Sequence, residues 1–429
     1  MELKKIILIS FMVATISIIY GWNGLSGAEN LSIESRESEL FDTHFDDGVP
    51  GMMSKDDFIY LEDYLNYLKE HPEISRNQNE IELASPGATI QVSAALKYTI
   101  KGLTTDTAVQ NACIVGNELY IIQLDSKLEP TLDNPTGNNP NARVSRCLIN
   151  ETLKTATVTD YMTINNLGHS QTLEYIGTSA TGAARFIVAC KANTSYDNKW
   201  ALQVGRLTYD ANQTISYTEL PRLAAIAYAN KDNTQYGTAK RVDAAVSDDL
   251  TKLLIWMQNT SNNIQYSFYN LNTINSLFDQ LENETTKYVN CYSSQVTAAF
   301  LGSCQQLYAN AFLPNDSFQG IEVDNNLTLK ISGGKEGDTP KIAYITGSIN
   351  SSNSYICSWI FNANVINTTD FSGSDLEIEG LQLYNGCTNC VIRDTGYTRN
   401  TGKYRVYSIN NYSFNNNNPN NDSDEKEDK

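Results

Sequence analysis

The chain has 429 residues, with 31 basic against 49 acidic side chains and a formal charge of −18. Phosphate backbones and anionic lipids are held by Lys and Arg, and no basic stripe occurs, so nucleic acid is excluded as a partner and stable membrane insertion is not expected. The three histidines, His44, His71 and His169, have no second ligand at metal-binding spacing, so no metal and no cofactor is expected.

Lys4 and Lys5, the apolar run from Ile6 to Tyr20 and the small residues Ser26-Gly27-Ala28 follow the order of a secretory signal peptide. Residues 1–28 are read as that signal, with cleavage near Ala28 and a secreted product; an uncleaved anchor is the alternative. Residues 29–87 read as an acidic linker or pro-region. Within it Ser54 is placed to cap a short helix that carries Phe58, Leu61, Leu65 and Leu68 on one face and stops at Pro72.

From Ala88 the period changes to two. Ile90, Val92, Ala94, Leu96, Tyr98 and Ile100 alternate with other residues, which predicts one half-buried strand. Strand-forming residues and turn signals continue to about Asn411 with no long segment of helical period. The polar stretch from residue 412 to 429 has nothing to bury and is expected to be a disordered, Asn-rich acidic tail.

Within 88–411 a pattern recurs five times at intervals of roughly 60–75 residues: a polar residue, a small residue or Thr, alternating apolar positions, then a Gly, Asn or Asp turn. The leading polar residues are Asn111, Gln171, Asp243, Gln319 and Glu379. A second apolar run follows each copy, and a third closes the unit in stretches such as Trp200 to Leu207, Ile264 to Leu271 and Tyr404 to Ile409. The fold class predicted is all-β, a five-bladed β-propeller in which small residues crowd the axis and the 90–100 strand completes the last blade. A pair of β-sandwiches is the rival. Trp200 and Trp256 are assigned to the core, while Trp359 is left open.

The eight cysteines are an even number in a chain expected to be exported, which permits disulfides. Cys291 with Cys304 is the attractive local pair. Cys387 and Cys390 have redox spacing but no following helix or thioredoxin-like context, so a redox role is not expected.

The segment Gly168-His169-Ser170-Gln171-Thr172-Leu173-Glu174 resembles a Gly-His-x-Gln-Thr-aromatic-Glu motif of the helveticin J family of large, heat-labile bacteriocins. Ala244 to Ile255, continuing through Phe268-Tyr269-Asn270-Leu271-Asn272-Thr273-Ile274-Asn275, is similar to the same family, as are Pro221-Arg222-Leu223 and Gln319-Gly320 with Val323-Asp324-Asn325. The resemblance spans about residues 90–411 and implies a secreted antibacterial protein acting on related bacteria. It carries over no catalytic residue. Where the family has His-Ala-Glu, this chain has Arg241-Val242-Asp243, and it adds the signal, the acidic front segment, the tail and more cysteines.

In a propeller the five leading polar side chains meet near one mouth of the central channel, which suits a polyol or glycan. His169, two residues before Gln171, is a further ligand candidate or a strand-end residue bonded to the next unit. Asp243 and Glu379 are the pair a glycoside hydrolase would need, but three of the five positions are amides, which favours binding over acid–base work. The function expected is recognition of a cell-surface component of related Gram-positive bacteria, such as a wall glycan, with an immunity protein as a further partner to allow for. A non-toxic adhesin or lectin and a wall glycoside hydrolase are the alternatives.

Overall fold

Successive side chains of a strand point to opposite faces, so a strand with apolar residues at consecutive positions can fill a core on each side of its sheet. In a computed structural model, residues 89–125, 140–306, 313–367, 370–371, 375–398 and 402–410 are described. The expected signal (1–28), the acidic segment with its helix (29–87) and the tail (412–429) lie outside them. The protein is all-β apart from short helices.

Two strands come first, β1 (Thr89–Ser93) and β2 (Ala95–Lys101). Unit one is the meander β3 (Val109–Val115), β4 (Glu118–Leu124), β5 (Ala142–Asn150) and β6 (Thr155–Asn165). Unit two holds β7 (Glu174–Thr178), β8 (Ala184–Ala192) and β9 (Ala201–Thr208); the short β10 (Thr214–Ser216) returns to β6, and β11 (Arg222–Ala224) is the fourth strand. In unit three β12 (Ala239–Val246), β13 (Lys252–Asn259) and β14 (Ile264–Asn270) precede an insertion. The insertion contains helix α1 (Leu271–Leu281), β15 (Tyr288–Asn290) and one short helical turn before the fourth strand, β16 (Phe300–Gln306). Unit four is β17 (Gly320–Val323), β18 (Leu329–Gly333), β19 (Lys341–Ile349) and β20 (Tyr355–Ile366), and unit five is β21 (Leu376–Tyr384), β22 (Cys387–Asp394) and β23 (Tyr404–Asn410).

The first strands of the units touch in a closed circuit, β3 to β7, β12, β17, β21 and back to β3. Each pair of neighbouring units encloses its own apolar core. Along β13, Leu253, Ile255 and Met257 pack toward unit two, while Leu254 and Trp256 pack toward unit four, so one strand feeds two cores by alternation alone. The same holds for Ile121 and Ile122 on β4, which face units five and two respectively. Each unit thus has a neighbour on both faces, which a pair of two-sheet sandwiches does not provide.

The stretch 90–100 is not one strand. It breaks at Ala94, whose N–H donates to the Ile366 carbonyl at 2.8 Å. β1 pairs parallel with β20 of unit four, and β2 pairs antiparallel with β23 as the fourth strand of unit five. β2 also runs parallel to β6, with Thr99 opposite Thr155, so units five and one share a nine-stranded sheet.

Three other expectations are corrected. Helix α1 interrupts the strand pattern: the Asn270 side chain accepts from the Thr273 N–H, and Leu271, Ile274, Leu277 and Phe278 are buried at helical spacing. The Asn-Leu-Asn-Thr-Ile-Asn stretch is therefore a strand end with a helix start, not strand alone. Cys291 and Cys304 do not face each other, since Cys291 lies in the core between units two and three and Cys304 in the core on the opposite face of the unit-three sheet. Trp256 is fully buried, but Trp200 is half-buried and stacks on His169 with ring centroids 4.3 Å apart. The side chain of Trp359 lies outside those described. Cys387 and Cys390 sit on β22, and burial pushes the Cys390 thiol up to about 12, far from the thiolate that redox chemistry needs. Among the described residues no helix is long and apolar enough to cross a membrane.

Candidate functional site

The five leading polar residues come together where the first strands meet. Asn111 on β3 donates from Nδ2 to the Gln171 carbonyl (3.0 Å). The Gln171 N–H donates to Asp243 Oδ1 (3.1 Å), and Gln171 Nε2 donates to Gln319 Oε1 (2.6 Å). Gln319 Nε2 donates in turn to Glu377 Oε1 (3.1 Å), two residues before Glu379 on β21. The Glu379 carbonyl accepts from Ser332 Oγ of unit four (2.8 Å).

Close approach explains why a small residue follows most of these positions. A Cβ on Gly380 would lie 2.4 Å from Asn111 Cγ, and one on Gly320 would lie 2.8 Å from Gly380 Cα. At the same position in unit two stands Thr172, whose hydroxyl donates to Asp243 Oδ1 (3.1 Å) and accepts from the Ala244 N–H (2.8 Å).

Arg241, which the repeat pattern did not single out, is the hub. Its Nε donates to Asp243 Oδ2 (3.0 Å), Nη1 to the Phe318 carbonyl (3.1 Å) and Nη2 to Gln171 Oε1. The guanidinium lies 3.8 Å from the Trp200 ring centroid and 4.5 Å from that of Phe318. Burial pushes the Asp243 carboxyl up and the Arg241 guanidinium down, while the attraction between the two opposes both shifts. The signal was its spacing: two residues from Asp243, on the same face of β12.

His169 is bonded to the neighbouring unit, with Nε2 2.6 Å from Gln110 Oε1. Burial, aided by the Arg241 charge, pushes it down to about 3, so it is neutral near pH 7. Asn111, Gln171, Asp243 and Glu379 are buried, and Gln319 is half-buried. Burial, reinforced by the Glu377 charge, holds Glu379 well above the usual carboxylate range. The polar groups that converge on the axis are largely taken up by one another.

Three positions further along, a second layer contains Glu174 on β7 and Glu322 on β17, both buried. Burial pushes Glu174 up to about 8 and Glu322 well above the carboxylate range, with the Glu174 charge adding to the rise at Glu322 and Lys330 opposing it. Two facing carboxyls away from water hold a proton because both cannot ionise cheaply. On β21 of the same layer, Gln382 Oε1 accepts from the Ile114 N–H (2.8 Å) and joins units five and one. Among the described residues no group of three or more His, Cys, Asp or Glu is arranged to hold a metal ion.

The family model described as "Bacteriocin helveticin-J" matches residues 88–413. The chain belongs to the helveticin J family. Bacteriocin helveticin-J of Lactobacillus helveticus is 26% identical over 260 residues, covering 54% of this chain and 74% of that protein. Glu174 ends the family-like motif that begins at Gly168, and Arg222 lies in the family-like Pro-Arg-Leu. Among solved structures, the tail fiber of Staphylococcus aureus phage P68 is similar at a TM-score of 0.45 and 13% identity, covering 75% of this chain and 53% of the fiber. The chain thus spans about half the length of that fiber. The β-xylosidase RS223 is similar at a TM-score of 0.36 and 11% identity, covering 71% of this chain and 91% of the enzyme. Neither superposition is close enough to carry an argument about chemistry.

Proposed function

We propose that this is an exported bacteriocin-like protein whose five units are the blades of a propeller, and that it recognises a surface component of related Gram-positive cells. The family match over residues 88–413 carries the antibacterial part of this reading. Recognition before catalysis is favoured by the state of Asp243, one of the two carboxyls a glycoside hydrolase would need. Asp243 is engaged by Arg241, Gln171 and Thr172, so it lacks the freedom of a general acid or base. A wall-glycan adhesin without toxicity is the second reading, favoured by the tyrosines left exposed on the unit-three insertion.

Growth inhibition by the purified mature protein on a panel of Gram-positive strains, with lysis followed in parallel, tests the first reading. Inhibition of some strains is expected. Binding to cells without inhibition of any strain would leave the adhesin, and neither binding nor inhibition would overturn both.

A further inference from the structure

Regularity breaks at residues 271–299, where unit three carries a helix and an extra strand between its third and fourth strands. That insertion is anchored to unit two. β15 pairs parallel with β11, the Arg222 N–H donates to the Lys287 carbonyl (2.9 Å), and the Cys291 N–H donates to the Ala224 carbonyl (2.9 Å). It borders an open cleft of about 380 Å³ whose aliphatic lining is Leu277, Leu281 and Val289.

The cleft is walled by Tyr288. Among the described residues, the large apolar side chains that stay exposed are Leu148, Leu153, Leu250, Tyr288 and Tyr292, so both aromatics of that set belong to this insertion. Tyr288 is 44% exposed and Tyr292 48%. Tyr292 meets the Tyr228 ring edge-on with centroids 5.2 Å apart and its hydroxyl accepts from Asn290 Nδ2 (2.8 Å), so Tyr288 is the exposed ring that belongs to the cleft. Tyr288 is also held in place: the Arg222 guanidinium lies 5.2 Å from its ring centroid and 5.2 Å from that of Tyr217, and Arg222 is fixed by Gln203 Oε1 (2.9 Å) and the Thr218 and Leu220 carbonyls (3.0 and 3.1 Å). A fixed aromatic wall loses little freedom when something stacks on it.

The rest of the lining is polar and nearly uncharged. Gln280 and Gln295 supply amides, Thr285 and Thr286 hydroxyls, and Glu284 one carboxylate. Amides and hydroxyls both donate and accept, the carboxylate accepts from hydroxyls, and it repels anions. We infer that this cleft is a subsite for a neutral pyranose chain, stacked on Tyr288 and hydrogen-bonded by Gln280, Gln295 and Glu284. The inference rests on the surface-recognition reading above and names its ligand class and its place, away from the axis.

Calorimetric titration of the mature protein with chitotetraose and with cellotetraose tests it. At least one tetrasaccharide is expected to bind. Tyr288→Ala is expected to weaken that binding at least about tenfold while remaining folded, and Tyr288→Phe, which keeps the stacking face, stays close to the parent. Gln280→Ala with Gln295→Ala should weaken it further without unfolding. Equal binding by Tyr288→Ala, or no binding of either sugar by the parent, would overturn the inference. So would a concentration-dependent dimer that Tyr288→Ala abolishes, since the patch would then be a protein contact. Growth inhibition that persists without glycan binding would sink this subsite and leave the antibacterial reading standing; glycan binding without inhibition would do the reverse.

Discussion

The axis of the ring and the insertion on unit three treat polar and aromatic side chains in opposite ways. At the axis, Asn111, Gln171, Asp243 and Arg241 are buried and bonded to one another across units. On the insertion, the Tyr288 ring stands half in water beside the amides and hydroxyls of the cleft. Where a pattern repeats five times, the repeat serves the contact between units. Where the pattern is broken, a surface is free to serve something else.

Arg241→Ala should break this contrast most severely. It strips the partner from a buried carboxylate and orphans Gln171 Oε1, so a loss of about 3–5 kcal/mol in denaturant unfolding is expected. A variant as stable as the parent would show that the axis is not held by these bonds. Next in size is Gly380→Ala, whose added methyl meets Asn111 and should cost about 1–3 kcal/mol in the same assay.

The second layer sharpens the comparison through pH. Glu174 and Glu322 have their folded values raised above those of the unfolded chain, so the folded protein keeps protons that the unfolded one releases. Stability from this pair is therefore highest in acid and falls as pH rises toward 8. His169, lowered to about 3, acts oppositely, but only until the unfolded histidine is also neutral at about 6.5. Between about pH 6.5 and 8, stability should drop on the order of 1 kcal/mol per pH unit for each carboxyl that keeps its proton, Glu379 included, and Glu322→Gln should reduce the slope without abolishing it. A flat profile in the parent would mean the pair is ionised and solvated. The smallest effect is expected on the insertion, where Tyr288→Ala removes the contact with Arg222 and should change unfolding free energy by no more than about 1 kcal/mol. A large loss there would make Tyr288 a packing residue.

The sequence revealed the axis and concealed the cleft. Leading polar residues in a recurring, unevenly spaced pattern pointed to Asn111, Gln171, Asp243, Gln319 and Glu379 as neighbours, because a repeat maps equivalent positions onto one radius. Their bonding was not legible, since periodicity says which residues meet but not whether they satisfy each other. Arg241 was visible as a departure from the family pattern, without a role. Helix α1 was hidden because its Asn270 cap and Leu271 continue directly from the alternation of β14. The cleft depends on Tyr288 staying outside, and alternation in a three-residue strand cannot distinguish an exposed aromatic from a packed one. The Cys291–Cys304 pairing failed because closeness in sequence does not tell which side of a sheet a side chain takes.

β2 carries one more consequence. It lies at the N-terminal end of the described chain, yet its antiparallel partner β23 is the last strand described. Four of the units can assemble from local hairpins as they are made, but the fifth is complete only when β23 has been made and meets β2, a segment synthesised long before. Such distant pairing is slow to form, and a chain cut shortly before β23 would leave the edge of β22 and one flank of β6's neighbour open to other molecules.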